Sequence, residues 1–218
     1  LNLEIQFENV FFKYKGSQEY ALKDVNLKIF KGEKIGIIGT TGSGKTSFID
    51  LLMGLMDPES GEIKIDNKSL RGNTCLKKEW YASISHVAQD IYLIDNSIAQ
   101  NIAFGIKKNE IDFERLINAA KKAQIYDFVL SLPRGFDTVI GERGINLSGG
   151  QRQRIAIAKS LYSESSLIIF DEATSALDNR TEEKIMESIN TLDNEHTIIM
   201  VAHRAEKFIH LFNKIIKI

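Results

Sequence analysis

The stretch GTTGSGKT, Gly39 to Thr46, restricts the fold of this chain more than any other part of its sequence. It fits the pattern G-x-x-x-x-G-K-[ST], and it directly follows the apolar run Ile35–Ile38. It also opens a helical pattern of apolar residues that reaches from Phe48 to Leu55. A strand, a glycine-rich turn and a helix in this order predict the opening of a βα unit in a parallel sheet.

The same stretch has the chemistry of a phosphate-binding loop. Its glycines allow backbone N–H groups to curl round phosphate oxygens without interference from a Cβ. The Lys45 ammonium can reach β- and γ-phosphates, and the Thr46 hydroxyl can bind Mg²⁺. We therefore predict nucleotide contacts from Gly39, Thr40, Thr41, Gly42, Ser43, Gly44, Lys45, Thr46 and Ser47.

Two further apolar runs end in polar side chains that suit the same chemistry. Asp171 follows Leu167–Phe170, and a carboxylate there can hold Mg²⁺ through water. The adjacent Glu172 can polarise an attacking water. His203 follows the run Thr197–Val201, where a neutral imidazole can contact a γ-phosphate. A solvated loop and a structural histidine are the alternatives that these residues alone leave open.

The stretch LSGGQRQR, Leu147 to Arg154, predicts the start of a helix with an exposed backbone. Ile155, Ala158 and Leu161 follow at helical spacing, so the glycine pair opens a helix instead of a loop. The bare N-terminus of a helix is suited to binding an anion. These residues by themselves do not tell which anion would bind.

The remaining patterns predict an α/β chain with a helical insertion. Apolar and polar residues alternate around Leu3–Glu8, Val25–Ile29 and Gly61–Asp66, which favours half-buried, antiparallel strands. Helical spacing dominates between about residues 90 and 160. We expect a single domain, with residues 1–89 and 161–218 forming the core and the antiparallel strands, and residues from about 90 to 160 forming a helical subdomain.

The charge balance, the cysteine count and the lengths of the apolar runs argue against several classes of protein. Basic and acidic residues nearly cancel, 28 against 29, which argues against a broadly basic nucleic-acid binder. The single Cys75 cannot form an internal disulfide and favours a reducing compartment. No apolar run approaches the roughly 20 residues of a transmembrane helix. Both ends of the sequence interrupt a strand-like pattern, so we expect a domain of a larger protein.

In their order, GTTGSGKT, LSGGQ, FDEATSALD and AHR resemble the nucleotide-binding domain of an ABC transporter. The resemblance implies the P-loop NTPase (ABC ATPase) fold, with a mixed parallel core sheet, an N-terminal antiparallel β-subdomain and an inserted α-helical subdomain. It also implies that the ligands are ATP and Mg²⁺. The implied catalytic residues are Lys45, Glu172 and His203, and the implied metal-binding residues are Thr46, Gln89 and Asp171.

Further roles follow from the same resemblance. Tyr14 in VFFKY is expected to stack on adenine, and Gln89 in HVAQD resembles the residue that senses Mg²⁺ and the membrane partner. The signature turn comprises Leu147, Ser148, Gly149, Gly150 and Gln151, and the D-loop comprises Ser175, Ala176, Leu177 and Asp178. Such domains pair head to tail, so the signature turn would contact ATP held by the Lys45 of a second copy.

Other segments resemble the exporter branch of the family. DIYLIDNSIAQNIAFG, Asp90 to Gly105, and GERG, beginning at Gly141, resemble exporter segments, and the region of Trp80 resembles bacterial lipid and oligosaccharide flippases. The resemblance implies a membrane-spanning domain, N-terminal in the same polypeptide, and a place at the cytoplasmic face of the inner or plasma membrane. Because no catalytic position is degenerate, we expect a homodimer. Because the chain has no net positive charge, we expect no nucleic-acid partner.

Two other functions fit parts of the pattern. A non-transport ABC ATPase acting on DNA or ribosomes shares the motifs, but it usually carries coiled coils, zinc insertions or tandem cassettes. A small-molecule kinase or GTPase shares only the phosphate-binding loop. The segment NKSL at Asn67 lacks the aspartate of a guanine-reading N-K-x-D motif.

Overall fold

The computed structural model describes residues 4–192, 196–201 and 205–218. Its strands are β1 (Ile5–Phe12), β2 (Leu22–Ile29), β3 (Lys34–Ile38), β4 (Ser60–Ile65), β5 (Lys68–Ser69), β6 (Ile84–Val87), β7 (Leu167–Asp171), β8 (Thr197–Val201) and β9 (Lys214–Lys217). Its α-helices are α1 (Lys45–Leu52), α2 (Thr74–Ala82), α3 (Ile98–Ile102), α4 (Phe113–Lys122), α5 (Tyr126–Ser131), α6 (Gly149–Tyr162) and α7 (Asn179–Asn190). Short 3₁₀ helices cover Lys108–Glu110, Gly135–Asp137, Glu142–Gly144 and Ala205–Leu211.

The chain divides into two compact units. The first unit consists of Leu1–Ile84, Ser165–Ile169 and Asp193–Ile218, and the second consists of Ser85–Glu164 and Phe170–Leu192. The boundary between them falls within β6 and β7, so the chain passes from one unit to the other inside these strands.

The first unit contains an antiparallel sheet in the order β2-β1-β4-β5. Phe7 on β1 pairs with Leu27 on one side and with Ile63 on the other, so apolar side chains coincide across three strands. This register places the apolar positions of the alternating pattern on one face, where Phe7 and Ile63 are buried. The prediction of antiparallel strands in this part of the chain is confirmed.

A second sheet has the order β6-β7-β8-β3-β9. β3 lies between β8 and β9 and runs parallel to both, with Ile35 opposite Ile199 and Lys214. Its residues Ile35 and Ile37 are fully buried. This explains why β3 appears in the sequence as a continuous apolar run. With antiparallel and parallel sheets and several helices in one chain, the predicted α/β class is confirmed.

Helix α1 is fixed to the first unit at both of its ends. Near its start, the ring of Phe48 stacks on Phe7 with centroids 4.9 Å apart. At its end, the indole Nε1 of the fully buried Trp80 donates a 2.8 Å hydrogen bond to the carbonyl of Leu52. That carbonyl belongs to the last turn, where no intrahelical donor is available, so Trp80 caps the helix.

The sequence pattern extended α1 to Leu55, and this was wrong. The helix ends at Leu52, and Leu55 lies beyond it with 59% of its surface exposed. Gly54 has a φ of 73°, the Gly54 N–H bonds to the Leu51 carbonyl, and the Leu55 N–H bonds to the Asp50 carbonyl. This bonding is the Schellman motif, in which a left-handed glycine ends the helix.

The second unit is mainly helical. Helix α6, with 14 residues, packs against α3 and α4. Ile155 and Ala158 are fully buried on its inner face, and Leu161 is half-buried. The Arg115 guanidinium of α4 stacks on the Tyr162 ring and donates to the Tyr162 carbonyl, which joins α4 to the last turn of α6. None of the helices described here combines the length and apolarity that a membrane span requires.

The cap on α1 can be tested with two substitutions. Trp80→Phe removes the donor to the Leu52 carbonyl and leaves a small cavity, and we expect it to lower the free energy of unfolding by about 2–3 kcal/mol. Tyr81→Phe removes a 2.9 Å bond to the Gly54 carbonyl from a side chain that is 43% exposed, and it should cost less than about 1 kcal/mol. Urea unfolding of both variants measures the difference. Equal losses would contradict a capping role for Trp80.

Candidate functional site

The loop between β3 and α1 is held by close backbone contacts. A Cβ on Gly44, which has a φ of 102° and forms the N-cap of α1, would lie 2.4 Å from the carbonyl oxygen of Ala21. A Cβ on Gly39 would lie 2.3 Å from the carbonyl oxygen of Ile218. Both glycines are therefore required by the fold. Gly42 has a φ of 81° but has open space around it.

Lys45 occupies the inside of this loop. Its side chain is only 7% exposed, and its Nζ donates to the carbonyls of Gly39 at 2.9 Å and Thr40 at 2.7 Å. The buried Oγ of Ser43 has no hydrogen-bond partner within the part of the chain that the structure describes. A buried cation and a hydroxyl free to donate, both enclosed by a glycine loop, are groups that fit a phosphate.

Tyr14 lies beside the loop. Its hydroxyl hydrogen-bonds to the Oγ of Ser47 in the first turn of α1, at 2.8 Å. Its ring packs edge-on against Phe12 with centroids 5.1 Å apart, and 44% of its surface is exposed. An exposed ring anchored to the helix that follows the loop is placed where a base could stack on it. The first unit thus brings together Tyr14 and the whole predicted phosphate-binding loop.

The signature turn begins α6 with a complete capping box. The Ser148 Oγ accepts a hydrogen bond from the Gln151 N–H at 3.2 Å, and the Gln151 Oε1 accepts one from the Ser148 N–H at 2.8 Å. Gln151, predicted as a nucleotide contact, therefore already serves the cap with its amide oxygen. The N–H groups of Gly149 and Gly150 belong to the first turn, where helices leave donors available for an anion.

The D-loop lies against the signature turn. A surface cleft of about 520 Å³ is lined by Ser148, Gly149, Gly150, Arg154, Ala176, Leu177, Asp178 and Thr181. Burial lowers the pKa of the Arg154 guanidinium, and the Asp178 carboxylate partly offsets this effect. Asp178 is the N-cap of α7, and its hydrogen bonds with Thr181 lower the pKa of its carboxyl. The cleft thus combines helix N–H donors with a cation.

The candidate catalytic carboxylates follow one another at the end of β7. Asp171 is the last residue of the strand, and Glu172 has a φ of 51°. A left-handed backbone at a residue other than glycine costs about 1–2 kcal/mol, and such strain is concentrated at functional sites. The Ser175 N–H bonds to the Glu172 carbonyl at 3.1 Å and closes the turn.

The remaining predicted site residues are Thr46, Gln89 and His203. Thr46 lies in the first turn of α1 with its side chain exposed, and Gln89 lies exposed two residues after β6. His203 lies outside the described residues. Gln89, Asp171, Glu172, the signature turn and the D-loop belong to the second unit, whereas Tyr14 and the residues from Gly39 to Ser47 belong to the first.

Sequence reasoning missed two polar residues next to the signature turn, Gln153 and Arg154. Gln153 is 4% exposed and contacts the D-loop, and Arg154 lines the cleft. Their spacing of three or four residues along the helix, Gln153 from both glycines and Arg154 from Gly150, was the available signal, since residues at that spacing are neighbours on a helix surface.

A buried strand, a glycine loop that encloses a lysine and a following helix define a P-loop nucleotide-binding protein. Residues 22–175 match the family model described as ABC transporter. The chain therefore belongs to the ABC transporter family, as the resemblance of its motifs implied.

Relatives agree with this assignment. The chain is 42% identical over 200 residues to the ATP-dependent lipid A-core flippase of Alkalilimnicola ehrlichii, covering 92% of this chain and 33% of the relative. It is 43% identical over 202 residues to the leukotoxin translocation ATP-binding protein of Mannheimia glucosida, covering 92% and 28%. The chain thus spans about a third of the length of the curated relatives it matches.

The chain is also similar in three-dimensional structure to a solved ABC exporter. The structure of a bacterial Atm1-family ABC exporter with ATP bound superposes with a TM-score of 0.90 at 34% identity, covering 100% of this chain and 37% of that chain. The ABC ATPase fold predicted from the sequence is therefore confirmed, and with it an ATP-binding domain.

Alanine substitutions at two glycines of the loop should differ in their effect on stability. Gly44→Ala drives a Cβ into the Ala21 carbonyl, and we expect it to lower the free energy of unfolding by more than about 3 kcal/mol. Gly42→Ala meets only backbone strain and should cost about 1 kcal/mol. Chemical denaturation without nucleotide measures both. Similar stabilities for the two variants would show that the close contact at Ala21 is not what fixes the loop.

Proposed function

We propose that this chain is the ATP-binding and ATP-hydrolysing motor domain of an ABC exporter. The observation that supports this proposal most directly is that one chain holds both a phosphate-binding loop with an enclosed lysine and an exposed signature turn at the start of a helix. The similarity to a lipid flippase and to a leukotoxin translocation protein supports the exporter assignment.

The residues of the first unit would bind the nucleotide. Lys45 exchanges its bonds to the Gly39 and Thr40 carbonyls for phosphate oxygens, and Ser43 supplies a hydroxyl that has no partner among the described residues. Backbone N–H groups from Gly39 to Ser47 surround the phosphates. Tyr14 stacks on the adenine with the ring that its bond to Ser47 orients.

Mg²⁺ would be held by oxygen donors of the kind it prefers: the Thr46 hydroxyl, the Gln89 amide and the Asp171 carboxylate. When bound, the ion neutralises charge that develops on the β- and γ-phosphates. Thr46 and Gln89 have exposed side chains, and Asp171 ends its strand, so each can turn an oxygen toward a ligand.

Hydrolysis would depend on Glu172, Lys45 and His203. The Glu172 carboxylate orients and polarises the attacking water, and its left-handed backbone fixes the direction in which the side chain leaves the strand. Lys45 stabilises negative charge on the transferred phosphoryl group. We assign His203 a contact to the γ-phosphate from its sequence position after β8.

Two copies would pair head to tail, with ATP between them. The N–H groups of Gly149 and Gly150 and the Ser148 hydroxyl would contact the γ-phosphate bound to the Lys45 of a second copy, while Asp178 and the rest of the D-loop border the same cleft. Removal of the γ-phosphate would loosen the pair. Every proposed catalytic position carries a functional residue, which favours a homodimer with two equal sites.

The motor would act on a membrane-spanning domain in the remainder of the polypeptide. The relatives are about three times as long as this chain, and the name of the first contains the word flippase. We place the domain at the cytoplasmic face of the inner or plasma membrane and assign it no nucleic-acid partner. The alternative, an ABC ATPase acting on DNA or ribosomes, is not favoured by these relatives. Nucleic-acid-stimulated ATP hydrolysis would support it.

The composite site can be tested with Glu172→Gln. This change keeps the size of the side chain but removes the charge that polarises the water, so we expect kcat to fall by about 100-fold or more. ATP binding should persist, and the variant should form a dimer with Mg·ATP but remain monomeric with Mg·ADP or without nucleotide. Light scattering after gel filtration measures the mass. A monomer under all three conditions, with ATP bound, would contradict pairing through the signature turn.

Gly149→Ala separates ligand binding from folding. A Cβ at Gly149 would meet only the Ala176 Cβ, at an ordinary 3.7 Å, so the fold does not require a glycine there. Alanine is the better helix former by up to about 1 kcal/mol, so thermal stability should be unchanged or higher. Because the new methyl group would obstruct a phosphate, we expect the Glu172→Gln, Gly149→Ala variant not to dimerise with Mg·ATP. Dimerisation equal to that of Glu172→Gln would exclude close approach of ATP at Gly149.

A further inference from the structure

Gln153 is a buried amide whose two ends both contact the D-loop. Its Nε2 donates to the Ser175 Oγ at 3.1 Å, and its Oε1 accepts from the Ala176 N–H at 2.9 Å. Only 4% of the residue is exposed, although Ser175 and Ala176 are themselves exposed. A buried side chain of α6 thus holds the first two residues of the exposed D-loop.

Gln153 shares a helix face with the signature turn. It lies four residues after Gly149 and three after Gly150, and residues at this spacing are neighbours on a helix surface. A Cβ on Gly150 would come within 3.2 Å of the Ala176 carbonyl oxygen. The D-loop is therefore packed against the first turn of α6, and the two Gln153 bonds determine where along that turn it lies.

Stability alone does not explain a glutamine at this position. Burying an amide carries a desolvation cost, and fixing a long side chain carries an entropic cost, both of which its two hydrogen bonds must offset. An apolar side chain of similar length would avoid the first cost, and the exposed Ser175 and Ala176 could bond to water instead. Compared with apolar packing, two directional hydrogen bonds additionally fix the position of the loop.

We propose that Gln153 is a positioning residue that holds the D-loop and the signature turn together as one rigid face toward a second copy. This inference rests on the proposed function, because the face matters only where two copies close on ATP. Glu182 of α7 holds the residue before the D-loop by accepting a 2.8 Å bond from the Thr174 hydroxyl. Asp178 fixes its end as the N-cap of α7. Gln153 connects the segment to the signature helix.

The test compares variants in the Glu172→Gln background. Gln153→Met keeps length and packing but removes both bonds. Gln153→Glu can accept from the Ala176 N–H and from the Ser175 hydroxyl, so it restores both in altered form. Ser160→Ala is the matched control, because Ser160 is 1% exposed on the same helix and its hydroxyl donates to the Ile157 carbonyl within that helix, away from the D-loop.

Sedimentation in Mg·ATP gives the dissociation constant of the dimer, and titration of a fluorescent ATP analogue at low protein concentration gives nucleotide affinity. For Gln153→Met we expect the dimer dissociation constant to rise about tenfold or more, the scale of coupling between contacting groups. Nucleotide affinity should stay within about twofold, because the phosphate-binding loop and Tyr14 belong to the other unit. Gln153→Glu should recover part of the loss, and Ser160→Ala should pair like its parent.

Each outcome has a separate meaning. If the parent pairs with ATP and Gln153→Met pairs equally well, the inference is wrong and the proposed function stands. A loss of pairing that Ser160→Ala shares would reflect a weakened helix and would also overturn the positioning role. If the parent itself does not pair, the proposed composite site fails, and the role of Gln153 in it fails as well.

Discussion

The close backbone contacts at the two ends of the phosphate-binding loop are the constraint on which the rest of the site depends. The Ala21 and Ile218 carbonyl oxygens lie 2.4 Å and 2.3 Å from the positions that a Cβ on Gly44 and on Gly39 would take, so neither end of the loop has room for a side chain. Because the ends are fixed, the Lys45 ammonium lies inside the curve of the loop, where the Gly39 and Thr40 carbonyls hold it. The nucleotide site is therefore largely formed by the fold itself.

The signature turn uses its two glycines for different reasons. A Cβ on Gly150 would lie in a tight 3.2 Å contact with the Ala176 carbonyl oxygen, whereas a Cβ on Gly149 would meet the Ala176 Cβ at an ordinary 3.7 Å. Packing against the D-loop therefore restricts a side chain at Gly150 more than at Gly149. Ser148 and Gln151 are bound to each other in the capping box. Ser148 uses its hydroxyl oxygen as an acceptor there and can still donate its proton to a phosphate.

The sequence predicted those parts of the fold that depend on local patterns. The buried strands β3, β7 and β8 appear as continuous apolar runs, so their positions followed directly, and the loop after β3 followed from its glycines and lysine. The end of α1 was missed because the Leu51–Gly54 and Asp50–Leu55 bonds stop the helix while the apolar spacing continues to Leu55. The Gln153 contact was missed because it depends on where the D-loop, more than twenty residues away in sequence, returns to α6.

The strain at Glu172 explains why the segment after β7 needs several anchors. A left-handed glutamate is less stable than an extended one by about 1–2 kcal/mol, and a turn held by one bond of about 1 kcal/mol would relax. Here the Ser175 N–H bonds to the Glu172 carbonyl, the Thr174 hydroxyl bonds to Glu182, and Gln153 bonds to Ser175 and Ala176. The turn at Glu172 and the D-loop are therefore held by hydrogen bonds that share Ser175 as a member.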